Sequence, residues 1–243
     1  NTLQQSKDLV DKVVNNLKFD DKKVDVVVAP VFVHLPYVLS AIKNKVQVAA
    51  QNVSKTSYGA YTGEIAPQQI KDLGINWTIL GHSERRQYYG ETDEVVAAKT
   101  KLAISTNLSV ILCIGETLEE RESGRTMKIL ERQLAEVKAK SQLTKEDWHK
   151  IVVAYEPVWA IGTGKVATTE QAEEVHQHIR SWLDGEVSKD ISDATRIIYG
   201  GSVTEKNSTE LLKQKNIDGF LVGGASLKSA FIDIVDSTKV KLQ

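Results

Sequence analysis

Cysteine, net charge and long apolar runs are all scarce in this chain, and each shortage removes a class of protein. A lone cysteine, Cys113, stands among 243 residues, so no internal disulfide framework can form. That fits a reducing compartment. Basic and acidic residues number 31 and 32, a formal charge of −1, which gives no global attraction for nucleic acid or a membrane surface. Any anion site must therefore be built locally. No apolar run approaches the roughly 20 residues of a membrane span. From Asn1 to Lys18 polar and apolar residues alternate, without the apolar heart of a secretion signal. Metal binding also lacks support, since there is no cysteine pair and His176 and His178 point to different faces of a helix. The expectation is a soluble, cytoplasmic protein with no metal and no cofactor.

What is present is a regular alternation. Val10, Val13, Val14 and Leu17 recur at the spacing of an amphipathic helix. Short apolar runs at 24–29, 46–50, 77–80, 110–114, 151–155, 196–199 and 219–222 read as strands, with helical stretches between them, notably 93–105, 118–140 and 169–187. Thr169, with Ala172 and Glu173 behind it, is the predicted N-cap of the last. No linker, low-complexity tract or repeat interrupts the series. Strands alternating with helices imply parallel pairing through right-handed crossovers, and strands almost wholly apolar imply burial on both faces. The class is α/β, a (β/α)8 barrel in a single domain over residues 1–243. Seven strands are predicted, one short of closure. Cys113, flanked by Val110-Ile111-Leu112 and Ile114, is expected to be a packed, unreactive thiol.

Two reactive side chains follow such runs. His82 lies in Ile79-Leu80-Gly81-His82-Ser83-Glu84-Arg85-Arg86, and Glu156 in Val152-Val153-Ala154-Tyr155-Glu156-Pro157. Both should stand at strand C-terminal ends, where barrel chemistry takes place. A carboxylate base and an imidazole facing one pocket suit proton abstraction beside a carbonyl. Ser83-Glu84-Arg85-Arg86 reads as a first helical turn whose dipole would lower the imidazole pKa. Glu84, Arg85 and Arg86 fit either a solvated ion-pair cluster or a positioning role. His34, His149, His176 and His178 read as structural.

After Glu156 comes Trp159-Ala160-Ile161-Gly162-Thr163-Gly164-Lys165, where two glycines would let a loop swing and approach an anion closely. Two more glycine turns, Tyr199-Gly200-Gly201-Ser202 and Val222-Gly223-Gly224-Ala225-Ser226, follow late strands. Bare N–H groups there form an anion nest, and phosphate sites in such barrels lie after strands seven and eight. A phosphate monoester is the expected ligand.

These residues resemble the triosephosphate isomerase family across essentially the whole chain. The resemblance is carried by Gln51-Asn52, Gly59-Ala60-Tyr61-Thr62-Gly63-Glu64, the run from Gly81 to Arg86, Cys113-Ile114-Gly115-Glu116, and the stretches 155–165, 199–202 and 218–228. A base, a neutral histidine and a closing loop are known features of that family. The resemblance implies that Glu156 shuttles a proton between adjacent carbons of dihydroxyacetone phosphate and glyceraldehyde 3-phosphate. His82 would stabilise the enediolate, and Glu84 would be a pocket carboxylate of less settled role. Gly162, Ser202, Gly223 and Gly224 would contact phosphate. Trp159, Ala160, Ile161, Gly162, Thr163, Gly164 and Lys165 would form the lid, with Pro157 and Val158 in its hinge. The segment 53–64 would enter a second subunit, with Thr62, Glu64 and Arg85 in or near a homodimer interface. No cofactor, nucleic acid or membrane is implied.

One departure accompanies the resemblance. The family begins with a strand ending in an asparagine, an aromatic residue and a lysine that sits beside the substrate, and this chain opens just after that point. A polypeptide of these residues alone is expected to turn over little, and an intact mass near 26.9 kDa identifies it. The competing readings are another phosphate-sugar barrel isomerase, and a scaffold that binds phosphate or dimerises without turnover.

Overall fold

The computed structural model describes residues 1–160 and 167–242. Its centre is a seven-stranded parallel sheet whose spatial order follows the sequence. The strands are β1 (Val27–Val28), β2 (Gln47–Ala50), β3 (Trp77–Leu80), β4 (Ser109–Ile114), β5 (Ile151–Tyr155), β6 (Ile197–Tyr199) and β7 (Gly219–Phe220). All seven predicted runs become strands, several of them shortened, and β1 and β7 form the edges.

Burial on both sides explains why β3, β4 and β5 carry almost no polar residues, and the two faces separate by parity. Trp77 and Ile79, Ile111 and Cys113, and Val152 and Ala154 pack in one cluster with Ala49, joined by the half-buried Val27, Ala29, Ile198 and Leu221. Residues one position away, among them Leu80, Leu112, Val153 and Tyr199, pack instead against the surrounding helices. Side chains from every strand or its end meeting in the first cluster require the sheet to curl around them, as in a (β/α) barrel. At the floor of that interior Arg196, just before β6, pairs with Asp25, just before β1, at 2.5 Å, and its guanidinium lies 5.7 Å from the Trp77 ring centroid.

The helices form the outer sheath. Thr169–Glu186 buries Ala172, Val175, His176, Ile179 and Leu183, a stripe at helical spacing that faces the sheet. Its N-cap is Thr168, which accepts from the Gln171 N–H in a capping box, so the cap lies one residue before the predicted Thr169. The predicted helix 118–140 is two helices, Leu118–Glu122 and Thr126–Ser141. Gly124, at φ +70°, breaks it, because glycine enters the left-handed region without steric cost. The helix Asp93–Ser105 begins and ends where expected. No described helix is long and apolar enough to cross a membrane.

Candidate active site

Glu156 directly follows β5 and shares the parity of Val152 and Ala154, so its side chain points into the barrel mouth. It is 2% exposed. Its carboxylate accepts from the Ser83 hydroxyl at 3.0 Å and the Ser83 N–H at 3.3 Å. Burial pushes its pKa up, while His82, the Cys113 thiol and Ser83 pull it down. A carboxyl held above its ordinary range is a better acceptor for a carbon-bound proton than a solvated one.

His82 is the N-cap of the helix Ser83–Tyr89, and its Nδ1 accepts the Glu84 N–H at 3.4 Å. An Nδ1 that accepts leaves the proton on Nε2, and Nε2 lies 3.2 Å from the Glu156 carboxylate. The pair therefore offers a base and a hydrogen-bond donor side by side, with the imidazole 27% exposed toward the mouth. Gly81 makes the turn into this helix at φ +74°, and a Cβ there would stand 2.9 Å from the Cys113 carbonyl oxygen. Arg86 fixes the same corner, bonding the Gly81 carbonyl at 2.7 Å, the Cys113 carbonyl at 3.2 Å and Asp93 at 2.6 Å. It belongs to a positioning network rather than a solvated cluster.

Cys113 is fully buried, as its flanks predict, but its thiol hydrogen-bonds the Glu156 carboxylate. Burial, and then the neighbouring Glu156 charge, push the thiol well above its usual range, which keeps it protonated and able to donate. Glu84 is two-thirds exposed, with a carboxylate oxygen 3.7 Å from an Nδ1 that already accepts the Glu84 N–H. It stands at the rim.

The root of the glycine loop is firmly tied. Val158–Ala160 forms one 3₁₀ turn. Trp159 donates its indole N–H to the buried Glu116 carboxylate at 2.9 Å, which also accepts from the Tyr155 hydroxyl at 3.1 Å. The Arg121 guanidinium covers the Trp159 ring at 4.9 Å from its centroid. Ser202 donates its hydroxyl to the Ala160 carbonyl at 2.7 Å, joining the turn after β6 to that root. Gly223 and Gly224 follow β7 with open space around them. Because β6 and β7 are neighbours, both glycine turns reach one rim. Ile161, Gly162, Thr163, Gly164 and Lys165 lie outside the described residues.

Thr62 and Glu64 lie in a segment exposed throughout 57–64, whose Tyr58 and Tyr61 are 64% and 51% exposed. Arg85 bonds Glu91 at 2.5 Å and stacks on the exposed Tyr89. Sequence reasoning missed Ser83 and Glu116 as functional contacts. The dipeptide His82-Ser83 at a helix start held a signal for the first, whereas only tertiary contact reveals the second. Among the described residues no three His, Cys, Asp or Glu side chains converge as metal ligands would.

Fold and mouth together define a class: a (β/α)-barrel isomerase with a buried carboxylate set against an imidazole at the strand ends. The sequence model of the triosephosphate isomerase family matches residues 1–238. A triosephosphate isomerase of Emericella nidulans is 58% identical over 217 residues, covering 89% of this chain and 86% of its own length. The cytosolic enzyme of Oryza sativa subsp. japonica is 52% identical over 238 residues, 96% of this chain and 92% of its own. The glycosomal enzyme of Trypanosoma cruzi is 54% identical over 220 residues, 90% and 86%. The chain belongs to the triosephosphate isomerase family.

Proposed function

We propose that this barrel, as one domain, interconverts dihydroxyacetone phosphate and glyceraldehyde 3-phosphate, with Glu156 as the base and His82 as the electrophile. The observation that carries the reading is the buried Glu156 carboxylate 3.2 Å from His82 Nε2, the two residues following β5 and β3 on either side of β4. This pairing of carboxylate and neutral imidazole is the family's own. A substrate carbonyl entering between them would accept the Nε2–H. Its oxygen is then polarised while the carboxylate takes the proton from the adjacent carbon; the enediolate accepts that proton back on the neighbouring carbon, and its hydroxyl proton passes from one oxygen to the other so that hydroxyl and carbonyl exchange places. No electrons leave the substrate, so the step calls for no redox partner.

The phosphate is assigned to Ser202, Gly223 and Gly224, together with Gly162 by the family resemblance; backbone N–H groups there can bind a dianion that the net charge of −1 would not attract. The lid is 159–165, with Trp159 and Ala160 its anchored root. Glu84 is assigned to the rim of the pocket. Homodimerisation through Thr62, Glu64 and Arg85 is supported by the exposed tyrosines beside them, since such apolar surface favours a partner. The cytoplasm is the proposed compartment.

The experiment is a coupled assay of triose phosphate interconversion by the purified protein, with phosphoglycolate titrated in parallel. Turnover lost in Glu156→Asp through kcat, with KM little changed, supports the assignment. Phosphoglycolate binding without any turnover supports the scaffold reading instead.

A further inference from the structure

Gln133 lies on the helix Thr126–Ser141, on the outside of the sheet, and is 4% exposed. Its side chain makes two hydrogen bonds to a single residue. The Gly115 N–H donates to Oε1 at 2.9 Å, and Nε2 donates to the Gly115 carbonyl at 3.0 Å. A primary amide that matches both polar groups of one residue acts as a strand partner would, and it does so just past the end of β4.

Gly115 is the surface on which the base rests. The Glu156 N–H donates to the Ile114 carbonyl at 2.8 Å. A Cβ on Gly115 would fall 1.8 Å from the Glu156 carbonyl oxygen and 2.8 Å from its carbonyl carbon. Among the described residues no other glycine meets so close a neighbour. Any tilt of the Gly115 peptide is therefore transmitted to the Glu156 backbone. On the opposite side Gly200 packs against the Glu156 Cγ, and its N–H is held by the Tyr155 carbonyl at 2.8 Å. The strand ladder thus supports one flank of the base, and an outer helix reaches in to support the other.

We propose that Gln133 is a positioning residue for Glu156, acting through the Gly115 peptide. This rests on the reading of Glu156 as the base. Four groups meet its carboxylate directly: His82 Nε2, the Ser83 hydroxyl and N–H, and the Cys113 thiol. The Arg86 guanidinium stands behind Cys113, and the Glu84 carboxylate lies beyond His82. Gln133 is neutral and its side-chain hydrogen bonds go to Gly115. A change at Gln133 that alters how Glu156 titrates has therefore travelled through the backbone.

The test compares Gln133→Met, which removes both hydrogen bonds at similar volume, with Gln133→Asn, which stays polar but is one methylene too short. Three readings are taken on each: kcat and KM for triose phosphate interconversion, the melting temperature, and the Glu156 carboxyl titration followed by carbon-13 NMR. A base displaced by a fraction of an ångström to one ångström loses about 10- to 100-fold in rate. The expected result is that fall in kcat with KM within about twofold, and a carboxyl titration moved upward by about half a unit or more as the Ser83 bonds loosen and His82 draws away. Gln133→Asn folds more readily and shows the same effects. Unchanged kcat and unchanged titration, with only a lower melting temperature, overturn the proposal and leave Gln133 a packing residue. Absence of turnover in the unsubstituted protein bears on the isomerase reading and not on Gln133, for which the carboxyl titration alone then decides.

Discussion

Ser83→Ala tests the electrostatics of the mouth most directly. The Ser83 hydroxyl donates to the Glu156 carboxylate at 3.0 Å, in a site where that carboxylate is nearly sealed from water. A hydrogen bond to a buried charged group contributes about 1.5–3 kcal/mol. At 1.36 kcal/mol per pKa unit, full loss would raise the Glu156 pKa by roughly one to two units. The Ser83 N–H at 3.3 Å remains, as does His82 Nε2, so about one unit upward is the expected shift. The sign is fixed by what the bond stabilises: it favours the ionised form, so removing it favours the protonated one. The assay is kcat/KM against pH for both proteins, whose acid limb reports ionisation of the base in the free enzyme. Below both pKa values the variant should be about tenfold slower, and well above them the two should converge to within a few-fold. The substrate phosphate titrates identically in both cases and cancels from the ratio. An equal loss at every pH would mean that Ser83 acts by geometry alone. A limb that stays put or moves down refutes the electrostatic account.

Burial holds the Glu156 pKa above the ordinary carboxylate value of 4.5, so the folded protein binds that proton more tightly than the unfolded chain. Stability from this group therefore falls as pH rises through the window above 4.5. Glu156→Gln should melt a few degrees higher at neutral pH, about 1 kcal/mol, with the gain shrinking toward acid in calorimetry. A lower melting temperature at neutral pH contradicts this. Arg180 donates to the Asp218 carboxylate at 2.6 Å, to Asn216 at 3.1 Å, and to the Ser192 and Thr195 carbonyls at 2.5 and 3.1 Å. Arg180→Met removes the cation from a partly buried carboxylate, which keeps the Ile197 N–H at 2.8 Å, and leaves two carbonyls without it, and should cost about 2 kcal/mol in denaturant unfolding. A cost under about 1 kcal/mol would mean that water replaces the arginine. Thr62→Arg, in the exposed segment, should shift the sedimenting species from dimer toward monomer, and an unshifted dimer places the interface elsewhere.

Strands were legible here because burial on both faces leaves no ambiguity of pattern. The runs around Ile79, Leu112 and Val153 hold almost nothing polar, so their existence needed no knowledge of their partners. The edges were less legible. Only Val27–Val28 pair within the run 24–29, since one-sided support ends the ladder sooner. Helix ends turned on single residues whose effect is local yet easily displaced by one position, such as Thr168 in place of Thr169, or Gly124 dividing an otherwise helical stretch. In the site, His82 and Glu156 could be found because each stands where an apolar run stops. Ser83 reaches Glu156 across 73 residues of chain, and Gln133 reaches Gly115 across 18. No periodicity encodes such contacts, because they arise only once the strands are in register.

The glycines sharpen this point. Read as sequence, Gly200-Gly201 is a turn with bare N–H groups suited to a phosphate. In the fold a Cβ at Gly200 would stand 2.9 Å from the Glu156 Cγ, and one at Gly201 would stand 2.2 Å from the Tyr199 hydroxyl oxygen. The first glycine is thus required by the base it flanks, whatever the turn binds. Gly115 serves on the other side, with the base's own carbonyl occupying the space a side chain would fill. A carboxylate at the end of a parallel strand has neighbours on both sides at a spacing set by the sheet. Seating it deep enough to be 2% exposed requires both neighbours to give up their side chains. Gly115→Ala and Gly200→Ala should then each lower kcat more than Gly223→Ala lowers it, because Gly223 has open space around it. Equal losses at the three positions would show that the two inner glycines serve something other than room for Glu156.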